Sequence, residues 1–246
     1  RIQRKGVRQG GRRSGSSPAV APPPTSPILP ARLLHSQNPR IGPDVQQRFD
    51  VAIVGGGVIG SAIAFFLKGV TGFPGSVLVV ERDPGYTEAS TSRSVGGIRQ
   101  QFSTAENIEM SLYGARFLKS IGDHLAVDGE VPAISFVEQG YLFLATDAGA
   151  SVLRANHALQ SRLGADIALL SQDELAGRFP WLNVEDIAAG TLGLSNEGWV
   201  DPYGLLQAFR RKARSLGVRY EADTVVGIER RGARVSAVTL REGGRT

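Results

Sequence analysis

The chain has 246 residues, 41% of them hydrophobic, which is typical of a globular protein large enough to bury a core. It contains no cysteine, so disulfides, zinc–thiolate sites, iron–sulfur ligation and cysteine nucleophiles are excluded within it. Of the formal net charge of +5, residues 1–48 contribute +8 and the rest −3, so the basic balance belongs to the N-terminus and we expect no nucleic-acid partner.

Residues 1–47 form the first compositional unit, and they hold eight of the 13 prolines. Such a segment buries too little apolar surface to offset its ordering entropy, so we expect a disordered basic tail. An Arg-rich, Ser-rich and acid-poor composition is also that of organelle transit peptides. We therefore favour a targeting role for this tail; a non-specific basic tail or an artefact of gene modelling is the alternative.

The globular part opens with "FDVAIV" (49–54), an apolar run rich in β-branched residues that is typical of a buried parallel strand. "VIGSAIAFFLK" (58–68) has helical character, and "SVLVVERD" (76–83) is a second buried strand. Together they form a βαβ unit of about 30 residues, which predicts a parallel sheet with a right-handed crossover. No stretch reaches the roughly 18 apolar residues that a membrane span needs, so we expect no transmembrane segment.

The middle of the chain predicts a different layer. A capping box of Ser103 and Glu106 predicts a helix start, and two short strands flank a turn at Gln139–Gly140. A helix follows over about 148–163. A second capping box, Ser171 and Glu174, opens another helix, and "AAGTLGLSNEGWVDP" (188–202) supplies another strand.

The last part returns to an α/β pattern. Asp201 caps a helix, Pro202 suits its first turn and Gly217 closes it. Within that helix, "RRKAR" (210–214) is interpreted as a solvated face rather than a docking patch. "VRYEADTVVGIERRGARVSAVTLREGG" (218–244) then predicts strands with hairpin character. His35, His124 and His157 lack ligand spacing, and we expect no metal site.

Three glycines between the first strand and helix match G-x-G-x-x-G. Gly55 permits the tight turn, Gly57 lets a pyrophosphate approach the backbone, and Gly60 lets the helix pack close to the sheet. The N-terminus of the helix offers N–H groups and a favourable dipole to phosphates. The motif is weak alone, but here it has the required strand before it and helix after it.

Glu81 ends the second strand 21 residues after Gly60, where a carboxylate accepts hydrogen bonds from an adenosine ribose. The alternative is a solvated charge at a strand end beside a plain glycine turn. With both features at matching spacing we favour dinucleotide binding. The βαβ unit does not by itself distinguish FAD from NAD.

Four segments of the sequence, from the glycine loop onwards, resemble the FAD-dependent D-amino-acid-oxidase superfamily, which includes sarcosine oxidase and dimethylglycine dehydrogenase. The likeness covers about residues 49–220. Within the superfamily, "GYLFLA", "RFPWLN" and "EGWVDP" are most similar to a mitochondrial branch that assists assembly of respiratory complex I. The segments that carry the likeness are "DVAIVGGGVIGSAIAFFL", "VLVVERDP", "ASTSRSVGGIRQQFS" and "NEGWVDPYGLLQAFRRKARSLGVRY".

The resemblance implies a role for each matching residue. The pyrophosphate would be lined by Gly55, Gly57, Ile59 and Gly60. Glu81 would hold the adenosine ribose, with Arg82 beside the adenine and the backbone of Val225 meeting the adenine. Thr91 and Ser92 would contact pyrophosphate and ribityl groups, although taken alone they are ordinary turn formers. Gly96 and Gly97 would let the chain pass close to the flavin. Arg99 would lie near the ring, to stabilise reduced flavin or a substrate carboxylate, and a structural ion pair is the equal alternative.

The fold class implied is α/β: an FAD-binding Rossmann-like parallel sheet with an inserted α+β substrate-domain layer. The expected division is 48–130 and 199–246 for the FAD-binding domain and 131–198 for the substrate-domain part. The resemblance also implies that the chain is C-terminally incomplete, either a natural fragment or a truncated gene model. The downstream residues that would include the catalytic base are therefore expected to lie outside it.

The implied function is oxidation of an amine or amino-acid-like substrate by hydride transfer to FAD. We expect the FAD to be non-covalent, because residues 91–94 lack a histidine and the chain lacks cysteine. The expected location is mitochondrial, in the matrix or peripheral to the inner membrane. The alternative function is a flavin-containing assembly factor that acts through partner proteins, with subunits or assembly intermediates of complex I as those partners.

Overall fold

The computed structural model describes residues 48–245. The predictions for residues 1–47, a disordered tail with a targeting role, lie outside the described residues. In chain order the elements are β1 (Val51–Val54), α1 (Val58–Phe65), β2 (Val77–Glu81), β3 (Gly97–Ile98), α2 (Ala105–Lys119), α3 (Ile121–Leu125), β4 (Val137–Glu138), β5 (Leu142–Ala145), α4 (Asp147–Arg162), β6 (Ile167–Leu170), α5 (Gln172–Arg178), β7 (Ala189–Gly193), β8 (Gly198–Trp199), α6 (Pro202–Ser215), β9 (Arg219–Ala222), β10 (Val225–Arg231), β11 (Arg234–Leu240) and β12 (Gly244–Arg245). None of the helices in this part of the chain is long and apolar enough to cross a membrane.

The predicted βαβ unit is confirmed as β1, α1 and β2, and α1 continues into a π-helical turn at Phe66–Val70. β1 pairs in parallel with β2, and Val51 lies opposite Val77. β2 also pairs in parallel with β9, so the strand order is β1–β2–β9. The α/β class with a parallel sheet is therefore confirmed.

The segment between β2 and β9 forms two antiparallel sheets. One has the order β3–β8–β4 and the other β5–β7–β6. The two short strands predicted around Gln139–Gly140 exist as β4 and β5, but each pairs in a different sheet. These sheets correspond to the α+β layer, and the predicted division at 48–130, 131–198 and 199–246 stays a prediction.

The parallel sheet is covered on both faces. Leu78 and Val80 pack against Val238 and Leu240 of β11, whereas Val77 and Val79 belong to the core on the helical side. On that side, aromatic rings from α1, α2 and α6 pack together with centroids 5.6 to 6.2 Å apart: Phe65, Phe117 and Phe209. A strand that is buried on both faces needs apolar residues at every position, which explains the unbroken run "VLVV".

The helix starts follow the predicted caps in two cases of three. Ser171 and Glu174 form the reciprocal capping box of α5, and the Asp201 side chain accepts from the Tyr203 N–H at the start of α6. The predicted box of Ser103 and Glu106 is wrong. The N-cap of α2 is Thr104, without a side-chain capping bond, because the helix begins one residue later than the box requires.

The basic stretch of α6 makes contacts within the chain. Arg211 pairs with Glu130 at 2.7 Å, and Lys212 donates to the carbonyl of Ala126 at 2.8 Å. The Arg210 guanidinium lies over the rings of Tyr86 and Tyr220. The interpretation of residues 210–214 as a solvated face is therefore only partly right, since these three side chains attach α6 to its neighbours.

Candidate functional site

The glycine loop begins where β1 ends. The Gly55 N–H donates to the carbonyl of Val80 at 2.8 Å, and the φ of +95° at Gly55 turns the chain away from the sheet. A Cβ added at Gly60 would lie 1.9 Å from the carbonyl oxygen of Gly55. The close approach of α1 to β1 therefore requires glycine at position 60.

The N-terminus of α1 opens towards a cleft. Its N-cap is Gly57, which has no side chain to satisfy the first-turn N–H groups. The hydroxyl of Thr91, in the loop after β2, accepts from the Val58 N–H at 3.2 Å. The remaining N–H groups of the first turn have no partner within the helix, which makes this end suitable for an anion.

Glu81 stands at the carboxyl end of β2 and is half-buried. One carboxylate oxygen accepts from the Gly56 N–H at 2.7 Å and the other from the Asp83 N–H at 2.8 Å. These bonds orient the carboxylate beside the glycine loop. Each oxygen keeps a further lone pair, so Glu81 can still accept from the hydroxyls of a ribose.

A cleft of about 590 Å³ joins these features. It extends from the first turn of α1 past the end of β2 to the start of β10. The predicted site residues in its lining are Gly55, Gly57, Ile59, Gly60, Glu81, Arg82, Thr91 and Val225. The cleft brings together backbone donors for phosphates and a carboxylate for a ribose, which fits a dinucleotide.

Four predicted residues, Ser92, Gly96, Gly97 and Arg99, lie outside this lining. Ser92 is exposed in the loop after β2. Gly97 and Arg99 line a second cavity of about 620 Å³ instead. The structure therefore divides the predicted site between two cavities, which the loop over residues 91–99 connects.

The second cavity is mainly apolar and aromatic. Phe66, Tyr113, Phe117 and Phe209 contribute to its walls, and Arg99 is the charged residue among the described residues that line it. The Arg99 guanidinium lies 5.4 Å from the centre of the Phe102 ring. No carboxylate in residues 48–245 lies within ion-pair distance of Arg99, so the structural ion pair considered from the sequence is not formed there.

Gly96 has a structural requirement of its own. Its φ is +66°, and a Cβ there would lie 2.0 Å from the carbonyl oxygen of Val200. Its own carbonyl accepts from the Val200 N–H at 3.0 Å. This glycine lets residues 91–101, which we call the Arg99 loop, pack against the end of β8.

Sequence reasoning missed several residues near the cleft. The Asp83 carboxylate accepts a hydrogen bond from the backbone N–H of Glu88 in the turn after β2. This bond lowers the pKa of the Asp83 carboxyl. The "DPG" pattern could have indicated this turn. Tyr86 is buried with an unpartnered hydroxyl, and burial raises its pKa. Asp223 accepts from the N–H groups of 242 and 243, for which no local signal exists.

A further residue that sequence reasoning missed is Glu197, which is fully buried beside the Arg99 loop.

The two described histidines take structural roles: His157 contacts the carbonyl of Ile167, and His124 stacks on Phe117. Within residues 48–245, no three His, Asp or Glu side chains come together in a way that could hold a metal ion.

Comparisons with known proteins agree with this geometry. A family profile described as FAD dependent oxidoreductase (DAO) matches residues 50–246. The chain is 51% identical over 175 residues to FAD-dependent oxidoreductase domain-containing protein 1 of Xenopus laevis; the match covers 70% of this chain and 35% of that protein. The Bos taurus protein of the same name is 48% identical over 177 residues, which are 71% of this chain and 36% of that protein.

Among solved structures, L-proline dehydrogenase from P. horikoshii superposes with a TM-score of 0.68 at 25% identity. The superposition covers 82% of this chain and 51% of that one. The chain thus corresponds to about half of this neighbour, and its match covers about a third of each curated relative.

Proposed function

The chain belongs to the DAO family of FAD-dependent oxidoreductases, and we propose that it binds FAD non-covalently and oxidises an amine or an amino-acid-like substrate. The observation that carries the proposal is the cleft in which the first turn of α1 meets the Glu81 carboxylate. FAD is the cofactor of the family, and when bound it supplies the acceptor of the hydride.

At the adenylate end, Glu81 would hold the ribose, with Arg82 and the backbone of Val225 beside the adenine. The pyrophosphate would be held by Gly55, Gly57, Ile59 and Gly60, with Thr91 and Ser92 towards the ribityl group. The bare backbone at Gly57 supports this assignment, because a Cβ there would enter the cleft only 3.3 Å from the Thr91 hydroxyl. The absence of cysteine, and of histidine at 91–94, supports non-covalent binding.

Arg99 would bind the carboxylate of the substrate or stabilise the reduced flavin, and Gly97 would let the chain pass the flavin closely. Support comes from the surroundings of Arg99. Arg99 is exposed, its guanidinium has no ion-pair partner in the described part of the chain, and it stands beside the apolar walls of the second cavity. An amino acid with an apolar side chain suits this combination of cation and apolar lining.

The cofactor assignment is tested with Gly57→Ala. Because the added methyl group occupies the approach path of a pyrophosphate, we expect FAD affinity to fall at least tenfold while the protein still folds. Titration of the apoprotein with FAD, followed by flavin fluorescence, measures it. Gly177→Ala is the matched control, since this glycine lies in α5 and an added Cβ meets nothing within 4 Å. If the wild-type protein bound NAD but not FAD, the proposal would be overturned.

The role of Arg99 is tested with Arg99→Met in the FAD-loaded, full-length protein. Removal of the cation is expected to weaken binding of anthranilate, a carboxylate probe, at least tenfold, and to leave aniline binding unchanged. Arg93→Met is the control, because Arg93 lies in the same loop and pairs with Glu88 at the surface. Wild-type anthranilate affinity in Arg99→Met would rule out this assignment.

We keep mitochondrial location and a role in complex I assembly as a second proposal. It rests on the basic, acid-poor N-terminal segment and on the sequence resemblance described above. The test is to express, in cells that lack the protein, a variant with a bulkier side chain, Gly57→Leu, that folds and carries no bound FAD. If complex I assembly is restored without FAD, the assembly role is independent of the redox reaction; if it is not restored, the two depend on the same site.

A further inference from the structure

Glu197 is the most deeply buried carboxylate in the described part of the chain, with an exposure of 0%. It lies in the turn between β7 and β8. No lysine or arginine of residues 48–243 lies within ion-pair distance of it. A buried charge is costly unless hydrogen bonds satisfy it, so its partners indicate what the charge is used for.

Four hydrogen bonds satisfy the carboxylate. One oxygen accepts from the backbone N–H groups of Gln100 at 2.6 Å and Gln101 at 3.2 Å. The other accepts from the Gln101 side-chain amide at 2.9 Å and from the Tyr141 N–H at 3.2 Å. Three of the four donors are therefore backbone groups, and two of these belong to the residues that directly follow Arg99.

The surroundings are shaped to receive this carboxylate. A Cβ at Gly193 would lie 1.9 Å from one of its oxygens. The Gln101 amide also donates to the carbonyl of Tyr141 at 2.8 Å and accepts from the Thr191 hydroxyl at 2.6 Å. The backbone carbonyl of Glu197 accepts from the N–H groups of 139 and 140. One residue thus joins the Arg99 loop, the turn before β5 and the end of β7.

The side chain and the backbone of Arg99 differ in how they are held. Its side chain is exposed and contacts the rings of Phe102 and Phe143 without an ion-pair partner in the described residues. Its backbone, in contrast, is continuous with the two N–H groups that Glu197 holds. Tyr141, the third backbone donor, lines the same cavity as Arg99.

We propose that Glu197 is a positioning residue that fixes Arg99 and Tyr141 at the second cavity, through its hydrogen bonds to the backbone of the Arg99 loop. The inference rests on the proposed function, in which Arg99 meets the carboxylate of the substrate. Glu197 acts as an acceptor only and does not touch the substrate.

The test is a double-mutant cycle in the FAD-loaded, full-length protein with anthranilate as probe and flavin absorbance as readout. Glu197→Gln keeps the length of the side chain but turns an N–H group towards backbone donors. We expect it to weaken anthranilate binding about tenfold and to leave aniline binding unchanged. In an Arg99→Met background, the same substitution should change the affinity less than twofold, because the residue through which it acts is gone.

Glu138→Gln is the matched control. Glu138 lies on β4, accepts from the Asn196 N–H at 2.6 Å and pairs with Lys119 at 2.9 Å, but it is exposed and does not contact the Arg99 loop. Glu138→Gln removes the same charge from a carboxylate that contacts Asn196, the residue before Glu197, and the anthranilate affinity of this variant should equal that of the wild type.

Three outcomes would overturn the inference. One is an unchanged anthranilate affinity in Glu197→Gln, and the second is an equal loss with and without Arg99. If Arg99→Met itself binds anthranilate like the wild type, or the wild type binds none, the proposed function fails first. A loss of aniline and anthranilate binding alike would assign Glu197 a general structural role and also refute the inference.

Discussion

The βαβ unit and the Arg99 loop are built by contacts of very different range along the chain. In the βαβ unit, Glu81 reaches Gly56 across 25 residues, and Thr91 reaches Val58 across 33. At the Arg99 loop, Glu197 reaches Gln100 across 97 residues. The first site is therefore built mainly from one supersecondary motif and the loop after it, with the start of β10 completing its lining. The second exists only after two antiparallel sheets have assembled around it.

Because of this difference, we expect that substitutions can impair the function of one region and leave the other unchanged. Substitutions in the βαβ unit should affect FAD affinity, and substitutions around Glu197 should affect the cavity at Arg99. Sites without shared partners are expected to be energetically additive.

Gly60→Ala should have the largest effect, because its new methyl group would lie 1.9 Å from the Gly55 carbonyl oxygen and would force α1 away from β1. We expect loss of bound FAD and a fall in the free energy of unfolding of about 3 kcal/mol or more. Flavin absorbance and thermal unfolding measure the two effects. Gly114→Ala, in the middle of α2 with open space around it, should instead stabilise the protein by about 0.5–1 kcal/mol. Retention of FAD by Gly60→Ala would contradict the packing argument.

Glu81→Gln should have the next largest effect. The amide would turn an N–H group towards a backbone donor, either Gly56 or Asp83, and we expect a loss of about 1–3 kcal/mol in stability. FAD affinity, measured by titration of the apoprotein, should fall at least tenfold. Glu109→Gln is the control, because Glu109 is exposed on α2 and lies away from the cleft. If both substitutions lowered FAD affinity equally, the predicted role of Glu81 in FAD binding would be wrong.

Thr191→Val tests the other region with a smaller change. It removes a buried hydroxyl that donates to the Gln101 side chain, and the free energy of unfolding should fall by about 1–2 kcal/mol. FAD affinity should stay unchanged, because the glycine loop shares no partner with Thr191. Thr146→Val is the control, since Thr146 is exposed and makes no side-chain capping bond to α4. A fall in FAD affinity would show that the two regions are not separable.

The smallest effect is confined to alkaline pH. Burial raises the pKa of Tyr220, whose hydroxyl donates to Ser61 at 3.1 Å beneath the glycine loop. The neutral phenol is thus favoured in the folded state. The buried neutral Tyr220 therefore contributes its full share to the free energy of unfolding below about pH 10, and this share is lost as the pH rises through the pKa of Tyr220 in the folded protein. Chemical denaturation between pH 9 and about 11 should show a shallower decline in Tyr220→Phe than in the wild type. The exposed Tyr113 gives the control Tyr113→Phe, and equal slopes in all three proteins would contradict this expectation.

The accuracy of the sequence-based prediction follows the same division. "FDVAIV", the three glycines and Glu81 carry a local pattern, and the structure brings them together as that pattern predicts. Ser103 and Glu106 also match a local pattern, but the helix starts at Ala105 and the box does not form. The sequence indicates the strands on either side of Gly140. Their partners cannot be derived from spacing, because Trp199 of β8 follows its partner Val137 by 62 residues and Leu192 of β7 follows its partner Leu142 by 50.

The sequence by itself determined the parallel sheet and the cofactor loop of this protein, because glycine spacing, apolar strands and a strand-end carboxylate act through neighbouring backbone groups. Only the tertiary structure decided the environment of Arg99. Glu197 binds mainly to backbone N–H groups, which every residue except proline carries, so its partners leave no mark in the sequence. The sequence therefore predicts where the adenylate end of FAD would bind, and the tertiary structure determines how Arg99 is held at the second cavity.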